Sequence, residues 1–87
     1  MNDYTSVPKE VVSAVKSELK RLSCKLVFIS RYSLQPGDSY LYVVLAQRGS
    51  DPYSYVVWMY NTSSGLAWGK YDLSFKSALE IFNKGVC

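Results

Sequence analysis

Apolar residues along this chain recur first at helical steps, then in near-continuous runs, then at helical steps again. Val11, Val12, Val15, Leu19 and Leu22 share one stripe of a helix predicted over residues 7–22, with Lys9, Glu10, Ser13, Lys16 and Lys20 falling largely elsewhere. Pro8 fits the first turn, where its missing N–H costs nothing, and Ser6 is placed to cap it. Valines form helices poorly, so packing of the stripe has to hold this one. Four runs rich in branched and aromatic residues, at 25–33, 40–47, 53–60 and 66–71, read as strands. Between them stand turn signals: Gln35-Pro36-Gly37-Asp38, Gly49-Ser50-Asp51-Pro52 and the 61–65 loop. A last helix is predicted over 74–84. Ser74 is its N-cap, Leu73 staples onto Ala78, Gly85 supplies a left-handed C-cap, and Phe75, Ala78, Leu79 and Phe82 share one face. Short loops between successive strands imply an antiparallel meander. The expected fold is α+β: a two-layer sandwich of order α-β-β-β-β-α, one domain over 1–87, with both helices on one face of a four-stranded sheet.

The strands are apolar at both parities, whereas an antiparallel sheet with one wet face alternates. Leu41, Val43 and Leu45 oppose Tyr40, Tyr42 and Val44. Val56, Trp58 and Tyr60 oppose Tyr55, Val57 and Met59. In the first strand Val27 and Ile29 oppose Leu26, Phe28 and Tyr32. With both helices over the aliphatic set, Tyr40, Tyr42, Trp58 and Tyr60 crowd an open face, joined by Phe28 or Trp68 and fringed by Arg31, Arg48 and Lys70. The 61–65 loop permits more than one register, and a one-residue slip exchanges the faces. The plain reading is a sheet covered by rings whose hydroxyls meet water. The functional reading is an interaction surface, because Tyr and Trp are enriched at binding hot spots. Its candidate binding residues are Tyr40, Tyr42, Trp58, Tyr60, Trp68, Lys70 and Arg31.

Composition sharpens this picture mainly by exclusion. Aromatics make up 15% of the 87 residues and eight of them are tyrosines, which raises the weight of a ring-lined surface. The net charge of +3 is mild, with no run of like charge to bind a membrane or mimic DNA. Histidine is absent, which removes the commonest general base and zinc ligand. Cys24 and Cys87 stand far apart without a CxxC motif, so neither a metal site nor a disulfide framework is expected. No GxGxxG, P-loop, GxSxG or HExxH occurs, and no cofactor or catalytic group is predicted. The polar start and the lack of a long apolar stretch predict a cytoplasmic protein with free thiols and no membrane contact.

Tyr55-Val56-Val57-Trp58-Met59-Tyr60-Asn61, then Trp68-Gly69-Lys70-Tyr71, then Ser74 through Ala78 to Phe82 form the most distinctive part. This half resembles small uncharacterised proteins of Gram-positive bacteria and their phages, in which a strand ending in an aromatic–Asn turn leads to a Gly-x-Tyr strand and a short helix. That resemblance implies no activity. Trp68-Gly69-Lys70 is also similar to the Trp-Gly-Arg element of WGR domains, with lysine in place of arginine, and that resemblance implies nucleic-acid contact around 68–70. The expectation from sequence is therefore a non-enzymatic protein-binding module. It would be of the kind a phage or mobile element uses to bind and block a host protein, for example a defence-system inhibitor such as an anti-CRISPR. The alternative is a small nucleic-acid-binding domain using an aromatic sheet face. The expected partner is a host protein or a second copy of the chain (a homodimer) on the open face, with nucleic acid the lesser expectation and no membrane.

Overall fold

The computed structural model describes residues 7–35 and 39–84, excepting the side chains of 33–35, 39 and 40. The element order is α1 (Lys9–Arg21), β1 (Lys25–Gln35), β2 (Ser39–Gln47), β3 (Tyr55–Asn61), β4 (Gly65–Leu73) and α2 (Phe75–Lys84). The strands form one antiparallel sheet in the order β1-β2-β3-β4. The α+β class, the element order and the meander are as the periodicity predicts. The expected Ser6 cap, the 36–38 turn, the Gly85 cap and Cys87 lie outside the described residues.

Local chemistry sets the element ends. Pro8 stands just before α1 rather than in its first turn, and its carbonyl accepts the N–H groups of Val11 and Val12 at 3.0 and 3.1 Å. At the other end Cys24 N–H donates to the Leu19 carbonyl and Ser23 N–H to that of Lys20, with Ser23 at φ 58°. This paired closure is a Schellman motif, which satisfies the last carbonyls and reverses the chain into β1. β3 begins at Tyr55 rather than Tyr53 because 51–54 close on themselves. Asp51 Oδ1 accepts the Tyr53 N–H at 2.8 Å, and the Ser54 hydroxyl donates to the Asp51 carbonyl at 2.5 Å. The 61–65 loop is likewise held by Asn61, whose Oδ1 accepts the Ser63 N–H at 2.8 Å, and Gly65 supplies φ 88°. Ser74 caps α2 as expected, its hydroxyl accepting the Ser77 N–H at 3.2 Å.

The helices lie on opposite faces of the sheet, which corrects the two-layer arrangement expected from sequence. Val15 and Leu19 of α1 pack with Ile29, Tyr42, Val44, Ala46, Val56, Trp58 and Tyr60. Ala78 and Phe82 of α2 pack with Leu41, Val43, Leu45, Val57 and Met59. Neighbouring residues of β2 alternate between these clusters, so the clusters are on the two sides of one sheet. The reason is energetic. Burying an apolar side chain is worth about 1.5–3 kcal/mol, so leaving a six-residue face bare would forgo roughly 10 kcal/mol, as much as a whole domain's net stability. Two strands apolar at both parities therefore demand a helix on each side. The parity reading holds for β2 and β3 but fails in β1. Two extra residues stand there, Val27 and Tyr32, and the first lets Leu26 join the α1 side while Val27 and Phe28 both join the α2 side.

Candidate functional site

The open aromatic face expected from sequence is covered. Tyr42, Trp58 and Tyr60 lie beneath α1 with 1%, 5% and 8% of their surface exposed. The Tyr40 side chain lies outside the described residues. Phe28 is on the other side altogether, with its ring centroid 6.0 Å from that of Phe82 and 6.5 Å from that of Phe75. Burial beside α1 pushes the Tyr60 phenol above its ordinary value, with Glu18 adding to the effect. These rings belong to the core. Of the predicted site residues, Trp68, Lys70 and Arg31 are exposed. Trp68 and Lys70 share β4, whereas Arg31 sits on β1 at the opposite edge.

β4 gathers the exposed rings because of two irregularities. Trp68 and Gly69 together oppose Trp58, and Tyr71 and Asp72 together oppose Val56, so β4 carries two more residues than its partner stretch of β3. Each doubled pair contains one residue in the left-handed region, Trp68 at φ 56° and Asp72 at φ 57°. Aspartate tolerates that conformation through its short polar side chain, whereas a bulky ring does so at a cost. Bulges twist a strand and re-aim its side chains, and at a sheet edge they obstruct pairing with another strand. Here they leave Trp68 59% and Tyr71 48% exposed.

Gly69 provides the seat for Tyr71. A Cβ at Gly69 would meet Tyr71 Oη at 2.5 Å and Trp58 Nε1 at 2.6 Å. With only hydrogen there, the Tyr71 ring folds back over the glycine. Its hydroxyl accepts the Trp58 indole N–H at 3.1 Å, with the two rings edge to face at 5.7 Å between centroids. This bond satisfies the polar atom of a buried tryptophan. Arg48 lies over the outer side of Tyr71, 5.9 Å from its centroid, and 3.9 Å from Asp72 Oδ1. Arg48, Asp51, Tyr53, Ser54 and Asp72 line an open depression of about 470 Å³ beside this stack. The result is one buried anchor (Trp58), one seated ring (Tyr71) with Arg48 against it and the exposed Tyr53 beside the same depression, while Trp68 and Lys70 stand exposed elsewhere on β4.

Cys24 is half-buried, and that burial pushes its thiol up, opposed by the nearby Arg48. It is therefore a poor nucleophile near neutral pH. Among the described residues no group of three or more Cys, Asp or Glu stands placed to hold a metal ion, and no helix is long and apolar enough to cross a membrane. Sequence reasoning passed over Tyr71 and Tyr53 as site residues. Tyr71 had a legible signal: it stands two positions after a glycine, and alternate strand residues share a face. The chain matches no protein-family model, no curated protein and no solved structure, so the site rests on its own geometry.

Proposed function

We propose that this chain is a non-enzymatic protein-binding module that takes its partner on the bulged β4 edge and acts by occluding the surface it covers. The observation that carries this reading is Trp68. It is a large apolar ring held mostly in water, in a left-handed backbone conformation that disfavours it. Such strain persists where it serves a use. Trp, Tyr and Arg are the residues that most often dominate protein interfaces, and β4 exposes Trp68 and Tyr71, with Arg48 against the Tyr71 ring. Tyr71 is pre-organised by its bond to Trp58, which lowers the entropy lost on binding. The resemblance to proteins of Gram-positive bacteria and their phages directs the search for a partner to a bacterial host.

The test is affinity capture from nuclease-treated bacterial lysate by the immobilised chain, its Trp68→Ala variant and a Lys84→Ala control. A defined protein retained by the parent and the control, and lost with Trp68→Ala at unchanged melting temperature, is the expected result. Equal retention by all three places the binding elsewhere and removes this reading.

A further inference from the structure

We propose that the outer face of α1 is a second interaction surface, one that contacts the phosphate backbone of a nucleic acid. This goes beyond the protein-binding reading and uses different residues. Lys9, Ser13, Lys16, Ser17 and Lys20 are all exposed and recur at three- and four-residue steps, which places them along one side of the helix. The stripe runs about 16 Å along the axis at 1.5 Å per residue. Together with Val12 these residues border an open hollow of about 550 Å³.

Among the described residues Lys9, Lys16 and Lys20 form no ion pair. Glu18, the nearest acidic candidate for Lys16 and Lys20, accepts from Arg21 at 3.3 Å and lies close enough to Tyr60 to disfavour its ionisation. Residues 1–31 carry six basic groups (Lys9, Lys16, Lys20, Arg21, Lys25 and Arg31) against three acidic ones (Asp3, Glu10 and Glu18), a net of +3. Residues 32–87 carry four of each sign, so the excess positive charge of the chain lies in this first part of the sequence.

Three kinds of polyanion present themselves, and the residues favour one. An anionic membrane binds amphipathic helices by taking in their apolar face, but the apolar stripe of α1, Val15 and Leu19, is already buried in the protein's own core. An acidic protein would be expected to engage aromatic or Arg anchors, and the cores of protein interfaces are depleted in lysine; this stripe has lysine and no ring. Lysine and serine are ordinary donors to phosphate oxygens, and such contacts carry no sequence information.

The experiment is fluorescence anisotropy of a labelled oligonucleotide of about 20 nucleotides, single-stranded and duplex, titrated with the full chain between about 50 and 200 mM salt. Three phosphate contacts predict a slope of log K against log salt of about −2 for the single strand and about −3 for the duplex. Replacing Lys16 and Lys20 together by glutamine should bring the slope to about −1 or shallower. The pair Lys76→Gln and Lys84→Gln on α2 should leave it unchanged, as should Trp68→Ala. All variants are checked by melting temperature, which substitutions at exposed positions leave in place. Absence of binding at the lowest salt overturns the proposal. So does a slope indifferent to Lys16 and Lys20, or equally tight binding to phosphatidylserine vesicles. Because Trp68→Ala spares this activity, failure here is distinct from failure of the β4 reading.

Discussion

Trp58 and Trp68 sit opposite one another on neighbouring strands, yet one is 5% exposed and the other 59%. The difference lies in their strands. β3 pairs on both sides, its register with β2 is unbroken, and its residues 56–60 are all buried. β4 pairs on one side only among the described strands, carries two doubled positions, and buries none of its residues fully. A central strand fixes both faces of its side chains against a helix. An edge strand has freedom to bulge, and the two bulges of β4 leave Trp68 and Tyr71 exposed. Similar residues thus become core in one strand and surface in the next, and Tyr71 ties the two together through its bond to Trp58.

The largest expected effect separates the tryptophans by stability. Trp58→Ala should cost about 3–5 kcal/mol, a large share of what a domain of this size holds, and should collapse the urea midpoint. Trp68→Gly should do the reverse. Relief of the left-handed strain, worth about 1–2 kcal/mol, exceeds the 0.5–1 kcal/mol entropic penalty of glycine, so the melting temperature should rise slightly. Equal destabilisation by both substitutions would erase the contrast between the strands.

The next effect probes the seam between them. Gly69→Ala places a methyl group where Tyr71 Oη and Trp58 Nε1 now stand, so Tyr71 must swing away and the indole N–H loses its acceptor. The expected loss is about 1–3 kcal/mol, read in the denaturant midpoint, together with a shift in tryptophan fluorescence. An unperturbed spectrum would mean that Tyr71 is not seated as described.

The smallest effect concerns Tyr60. Its phenol is held above the ordinary tyrosine value by burial first and Glu18 second, so the folded chain favours the neutral form more than the unfolded chain does. That contribution is complete below the unfolded value near pH 10 and is lost as pH rises through the folded one. Stability should therefore fall on the alkaline side, and Tyr60→Phe should flatten that fall. An identical alkaline profile in the variant would contradict the burial of the phenol.

The sequence by itself determined the elements and their order. Helical periodicity in 7–22 and 74–84, branched and aromatic runs with turn residues between them, and the Ser74 cap are local signals set by neighbouring residues. It also determined which strand residues share a face in β2 and β3, because a period of two needs only an unbroken strand. Tertiary structure decided where the helices go, since the stripe of α1 and that of α2 are both apolar and neither names its own side of the sheet. That choice buried Tyr42, Trp58 and Tyr60 and moved the candidate site to β4. The bulges at Val27, Tyr32, Trp68 and Asp72 were equally out of reach, because an extra residue shows only against the partner strand that lacks it. Trp68 reads as an ordinary strand residue in sequence. Its exposure and strained backbone arise from pairing with β3, a non-local constraint that local composition does not encode.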